Sequence, residues 1–155
     1  MTTYTLVHVV ISLIGIGSGL VVVVGLLASR HLDGWTALFL VSTVATSATG
    51  FGFPFDHLLP SHIVGLLSLV VLALAIVARY ARHLAGAWRW IYVVSAVVAL
   101  YFNVFVLVVQ AFLKVPALSA LAPTQSEPPF LITQLVVLLL FAALGFVAVR
   151  RFHTV

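Results

Sequence analysis

The run YTLVHVVISLIGIGSGLVVVVGLLA, residues 4–28, holds 25 residues without one Asp, Glu, Lys or Arg. At a rise of about 1.5 Å per residue a helix of that length reaches roughly 37 Å, more than the roughly 30 Å of a bilayer's hydrocarbon core. The run therefore reads as a membrane span. The leading residues MTTYTLVH lack a positive n-region, and no small-residue cleavage site follows, so the run is expected to stay as the first span rather than to leave as a signal peptide.

Outward from this run the same composition continues. Of the 155 residues, 64% are hydrophobic and 6% are charged, and the mean hydropathy is +1.31. A soluble domain carries about a quarter charged residues because its surface must be hydrated. This surface is suited to lipid instead. Four more apolar runs lie at 35–51, 62–80, 88–113 and 130–149, and no internal repeat relates them. The expected fold is an all-α integral membrane protein: one domain, 1–155, of five transmembrane helices with a long connection at 114–129. Within that connection PALSAL, 116–121, suits a short helix on the membrane surface.

Charge placement gives the direction. With five spans, Arg30, Arg79, Arg82, Arg89, Arg150 and Arg151 share one side, and of the seven basic residues only Lys114 lies opposite. Cytoplasmic loops are the ones enriched in Lys and Arg. The N-terminus is expected outside and the C-terminus cytoplasmic, in a bacterial inner membrane. Trp35, Tyr80, Trp88, Trp90 and Tyr92 fall at the inner boundary as an interfacial belt. Seven basic residues are too few for a nucleic-acid footprint. The chain has no cysteine, which excludes disulfides, thiolate metal sites, iron–sulfur clusters and cysteine nucleophiles.

Histidine placement narrows the chemistry. His31, His83 and His153 lie on the inner side beside Arg30, Arg82 and Arg151, an environment that disfavours a bound cation. His8, His57 and His62 lie outside. His8 and His62 enter on parallel helices at similar depth, and Asp56, Glu127, Gln110, Gln125, Gln134 and Lys114 belong to the same side. On the first helix His8, Ser12, Gly15 and Gly19 share one face, and Gly15 and Gly19 form a G-x-x-x-G. Such a face either packs tightly against another helix or forms a groove for a flat ring or a lipid-like tail. The second helix has its own polar stripe, with Thr43, Ser47 and Gly50 flanked by Ser42, Thr46 and Thr49, which suits a buried seam. Asn103 falls near mid-membrane on the fourth helix, where an amide needs a partner in the bundle interior. Asn103, Gln110 and Gln134 are further pocket candidates.

Three functional readings stay open on these residues. In the first, His8 and His62 are axial ligands of one b-type haem, with Ser12, Gly15 and Gly19 beside the macrocycle, for electron transfer or exchange with a quinone. In the second, His8, His57 and His62 with Asp56 or Glu127 hold Zn or Cu, since three imidazoles and a carboxylate suit such ions. An open position on zinc would then activate water against a lipid-linked substrate, with Glu127 as general base. In the third there is no cofactor: the chain is a structural or assembly subunit of a larger membrane complex or homo-oligomer, a small transporter, or a module binding a lipid-like ligand in the bilayer. Serine or aspartyl catalysis finds no support, because there is no G-x-S-x-G elbow and no close pair of acidic residues.

Overall fold

The computed structural model describes residues 2–54 and 60–153, without the side chains of 60 and 61. Among these residues the chain is all-helical. Its elements are α1 (Thr3–Leu27), α2 (Asp33–Gly50), α3 (Pro60–Ile76) continued by a π-helical turn (Val77–Ala81), α4 (Trp88–Lys114), α5 (Pro116–Leu121) and α6 (Pro128–Arg151).

Local chemistry sets the helix ends. The Thr2 hydroxyl caps α1 by accepting a hydrogen bond from the Thr5 backbone N–H at 3.1 Å. The helix stops where the Arg30 N–H turns back onto the Gly25 carbonyl at 2.7 Å, with Ser29 in the left-handed region at φ 55°. Asp33 opens α2, where a carboxylate suits the helix dipole. Pro128 and Pro129 start α6, a position that has no intrahelical N–H to lose. Hydroxyls inside the helices bond their own backbone: Ser18 donates to the Ile14 carbonyl, Ser42 to Leu38 and Ser95 to Ile91, each at 2.6 Å. A polar side chain satisfied in this way can sit in an apolar helix without exposing a bare donor.

The five long helices alternate in direction. At one end Arg79, at the close of α3, pairs with Asp33 at the start of α2. There too the His153 N–H beyond α6 donates to Ser29 beyond α1 at 2.9 Å, and Arg89 at the start of α4 donates to the Val149 carbonyl of α6 at 2.9 Å. That end gathers Arg30, Arg79, Arg82, Arg89, Arg150 and Arg151, and Lys114 lies at the other.

The central helix is α4, which packs against α1, α3 and α6; α2 lies along α1 and α3. Tyr92, Val93, Ala99 and Leu100 of α4 are fully enclosed, and around them close Leu26 of α1, Phe39 of α2, Leu72 and Ala75 of α3, and Ala148 and Phe152 at the end of α6. A second, smaller core fixes α5: Phe112 and Phe130 meet edge to face at 5.4 Å with Ala122 buried beside them. Outward faces are apolar, with Val24 at 64%, Val41 at 69% and Phe146 at 65% exposure. So continuous an apolar exterior is suited to hydrocarbon.

Among the described residues four helices are long and apolar enough to cross a membrane: α1, α3 with its π turn (His62–Ala81), α4 and α6. The expectation of five meets its difficulty at α2. That helix has 18 residues, and Asp33 with six serines and threonines lowers its hydropathy. Its polar side chains turn inward, since Thr36, Ser42, Thr43 and Ser47 are buried.

Candidate functional site

The end of the bundle opposite the arginines holds the histidines read as ligands. His8 faces α2, where its Nδ1 lies 2.7 Å from the Thr49 hydroxyl. That hydroxyl's single hydrogen is directed to the Ala45 carbonyl at 2.6 Å, so Thr49 Oγ1 accepts and His8 Nδ1 carries the proton. In the neutral form of the ring, Nε2 then presents its lone pair. Tyr4 completes the corner: its hydroxyl donates to the Thr49 carbonyl at 2.6 Å, and the Tyr4 and His8 rings both stand edge-on to Phe53, with centroids 5.0 Å away in each case.

His62 lies at the same end but against another ring. It is buried, and its imidazole sits 5.5 Å from Phe51. Each histidine thus packs on a different phenylalanine of the turn that follows α2. Asp56 and His57 lie outside the described residues. Among the described residues no three His, Asp or Glu side chains come together as a metal-binding group. Glu127 is turned into its own connection. Its carboxylate accepts from the Thr124 hydroxyl at 2.6 Å and from the Thr124 and Ser126 backbone N–H groups at 3.0 and 3.1 Å. These bonds, the Thr124 hydroxyl foremost, hold its carboxyl below the usual carboxylate range.

The glycine face of α1 is covered by side chains. A methyl group added at Gly15 would lie 3.1 Å from the Thr43 hydroxyl and 3.4 Å from the Asn103 amide; one added at Gly19 would lie 2.7 Å from Leu100 and 2.9 Å from Phe39. Ser12 donates to the Val9 carbonyl of its own helix at 2.7 Å. Asn103 finds its mid-bundle partner in Thr43, at 3.4 Å, so Gly15, Thr43 and Asn103 make a small polar node where α1, α2 and α4 meet. Ser47 and Ser68 join α2 to α3 at 3.1 Å. Gln134 and Gln125 donate to the Phe105 and Val109 carbonyls at 3.3 and 2.9 Å, tying α6 and its connection to α4. Gln110 is half-buried on α4.

At the arginine end, Arg79 is enclosed by the packing: its side chain is only 6% exposed. It ion-pairs with Asp33, donates to the His31 carbonyl at 3.2 Å and lies 5.2 Å from the centre of the Tyr92 ring. The signal was present in helical phase, since Leu72, Ala75 and Arg79 recur at the spacing of one buried face.

Together these features define, among the described residues, an all-helical bundle held by short polar seams, with four helices long and apolar enough to cross a membrane. No protein-family model, curated protein or solved structure matches the chain.

Proposed function

We propose that the chain is a five-span integral protein of the bacterial inner membrane, N-terminus outside and C-terminus cytoplasmic, that serves as a structural or lipid-binding module of the bilayer. One observation carries this reading. The small and polar residues of the helices engage one another, as Gly15 with Thr43 and Asn103 and Ser47 with Ser68, while the outward faces are left apolar. This arrangement also admits α2 as a span, because its hydroxyls meet α1, α3 and its own backbone rather than lipid. Protein extracted in mild detergent is expected to retain phospholipid in a native mass spectrum, and to lack both a Soret band and stoichiometric metal. A haem or a metal ion present at one per chain after native expression would overturn it.

The haem reading stands second, favoured by one feature: Thr49 fixes His8 in the tautomer with Nε2 free to bind iron, as second-shell partners of ligating histidines do. His62 would be the other axial ligand, and the haem would supply electron transfer, with a quinone as exchange partner. Gly15 and Gly19 do not support it, since Thr43, Leu100 and Phe39 cover them. A Soret band abolished in both His8→Ala and His62→Ala would establish it. For Zn or Cu at His8, His57 and His62, Asp56 is the carboxylate to test, because Glu127 is engaged by Thr124 and Ser126.

A further inference from the structure

The arginine end of the bundle has too few anions of its own. Six arginines gather there, and the chain has three acidic side chains in all, Asp33, Asp56 and Glu127. Asp33 is engaged by Arg79, and Glu127 lies at the opposite end. Three of the others use what else is near: Arg89 bonds the Val149 and Phe152 carbonyls, Arg82 lies over Trp88, and Arg150 lies over Phe146. Arg30 and Arg151 have no side-chain hydrogen bond or ion pair among the described residues, and both are exposed.

Arg30 stands at the mouth of a groove between α1 and α2. The groove has a volume of about 510 Å³, with walls from Leu20, Val24 and Ala28 on one side and Leu32 and Trp35 on the other. From Leu20 to Ala28 a helix rises about 12 Å, close to the depth of one leaflet, which is half of the roughly 30 Å core. The connection is bent to make this shape. Leu32 is held in the left-handed region at φ 42°, and its side chain lies so close to Gly25 that a methyl group added there would sit 2.5 Å from it. A bulky residue in that conformation is strained, and the absence of a Cβ at Gly25 lets the connection fold back. A second groove, between α2 and α3 along Leu40, Val44 and Ile76, has about 550 Å³ but no cation on its lining. It would hold a chain without selecting a headgroup.

We propose that the α1–α2 groove is a binding site for an anionic diacyl phospholipid of the inner leaflet, one acyl chain lying along Leu20, Val24 and Ala28 and the phosphate meeting Arg30 beside the Trp35 indole. The site rests on the reading of this chain as a bilayer protein with its arginine end at the cytoplasmic leaflet. Charge, depth and the interfacial tryptophan all point to the same occupant.

The test uses Trp35 as its own reporter. In a Trp88→Phe, Trp90→Phe protein reconstituted in phosphatidylcholine vesicles, brominated phosphatidylglycerol should quench Trp35 fluorescence at an about fivefold lower mole fraction than brominated phosphatidylcholine, the factor one guanidinium gives at an anionic surface. Arg30→Gln should remove that preference. Arg150→Gln, which takes the same charge from the same end, should keep it. Equal quenching by the two lipids, or a preference that survives Arg30→Gln, would overturn the site while leaving the protein in the bilayer. No quenching by either lipid would overturn the membrane placement as well. Should the double tryptophan variant fail to fold, native mass spectra of the unaltered protein, Arg30→Gln and Val24→Trp decide the matter. The phosphatidylglycerol adduct should fall about fivefold in Arg30→Gln. It should also fall in Val24→Trp, which fills the groove without touching charge; adducts unchanged in both variants would sink the proposal.

Discussion

Gly17 and Gly19 stand two residues apart on α1 and should respond oppositely to substitution. A methyl group on Gly17 meets nothing within 4 Å, whereas one on Gly19 meets Leu100 and the Phe39 ring inside 3 Å. Gly17→Ala is expected to leave thermal stability in detergent within about 1 kcal/mol of the parent, since a helix favours Ala over Gly by about that much. Gly19→Val should cost about 1–3 kcal/mol, the usual penalty of overpacking a filled core. If the two variants melted alike, the close seam between α1, α2 and α4 would be wrong. At this scale periodicity was informative: Gly15 and Gly19 fall on one helical face and Gly17 on the other, so the packed side was legible. What the spacing could not tell was whether protein or a ligand fills that side. The identity of the filling residues, Thr43, Phe39, Leu100 and Asn103, depends on contacts distant in sequence. The tautomer of His8 was illegible for the same reason, because its partner Thr49 lies 41 residues away.

Among the elements, the connection from α5 to α6 is held by a charge and should therefore depend on pH. Glu127 gathers the Thr124 hydroxyl and two backbone N–H groups, which keeps its carboxyl below the ordinary range. A carboxyl depressed on folding contributes its full stabilisation above the ordinary carboxylate range and loses it as pH falls through the lowered value. Protection of the Thr124 and Ser126 amides from hydrogen exchange is expected to drop below pH ~4. In Glu127→Gln that protection should be weaker at neutral pH and flat with pH. An identical pH response in the variant would show that some other group sets it. The PALSAL helix was visible in sequence as a Pro-started apolar segment, and it is α5. The Glu127 turn was not, since an acidic residue in a loop has many possible partners, and neighbours three residues away are as available as histidines across the bundle. The length of α2 was readable from its apolar run. Its burial came from the neighbours on either side, which composition averages away.

On the scale of the whole molecule the absence of cysteine makes topology directly measurable. Single cysteines at Ser126 and Arg151 lie at opposite ends of the bundle. In intact cells a membrane-impermeant maleimide is expected to label Ser126→Cys and to reach Arg151→Cys only after permeabilisation. Labelling of both from the same side would refute the crossing by α6, and labelling of Arg151→Cys alone in intact cells would refute the five-span orientation, since one span fewer before α6 reverses its direction. The grouping of six arginines at one end was legible in the sequence, because alternation of helices and loops fixes which connections share a side. The burial of Arg79 among them was legible only in its phase with Leu72 and Ala75, not in its charge. Charge counts treat all six alike, whereas packing singles out the one whose helical phase points inward, toward Asp33 and Tyr92.

The contact between Thr43 and Asn103 also has a meaning in time. The two residues are 60 positions apart, and the helix that carries Asn103 is the one against which α1, α3 and α6 all pack. At synthesis rates of about 5–20 residues per second, roughly 3–12 seconds separate their emergence from the ribosome. Within that interval α2 and α3 are completed beside α1, while the helix that closes their shared core is still unfinished. Ser42, Thr46 and Thr49 can meanwhile bond their own backbone, and Ser47 can find Ser68 once α3 is made, so the contact that must wait for α4 is the one at Thr43.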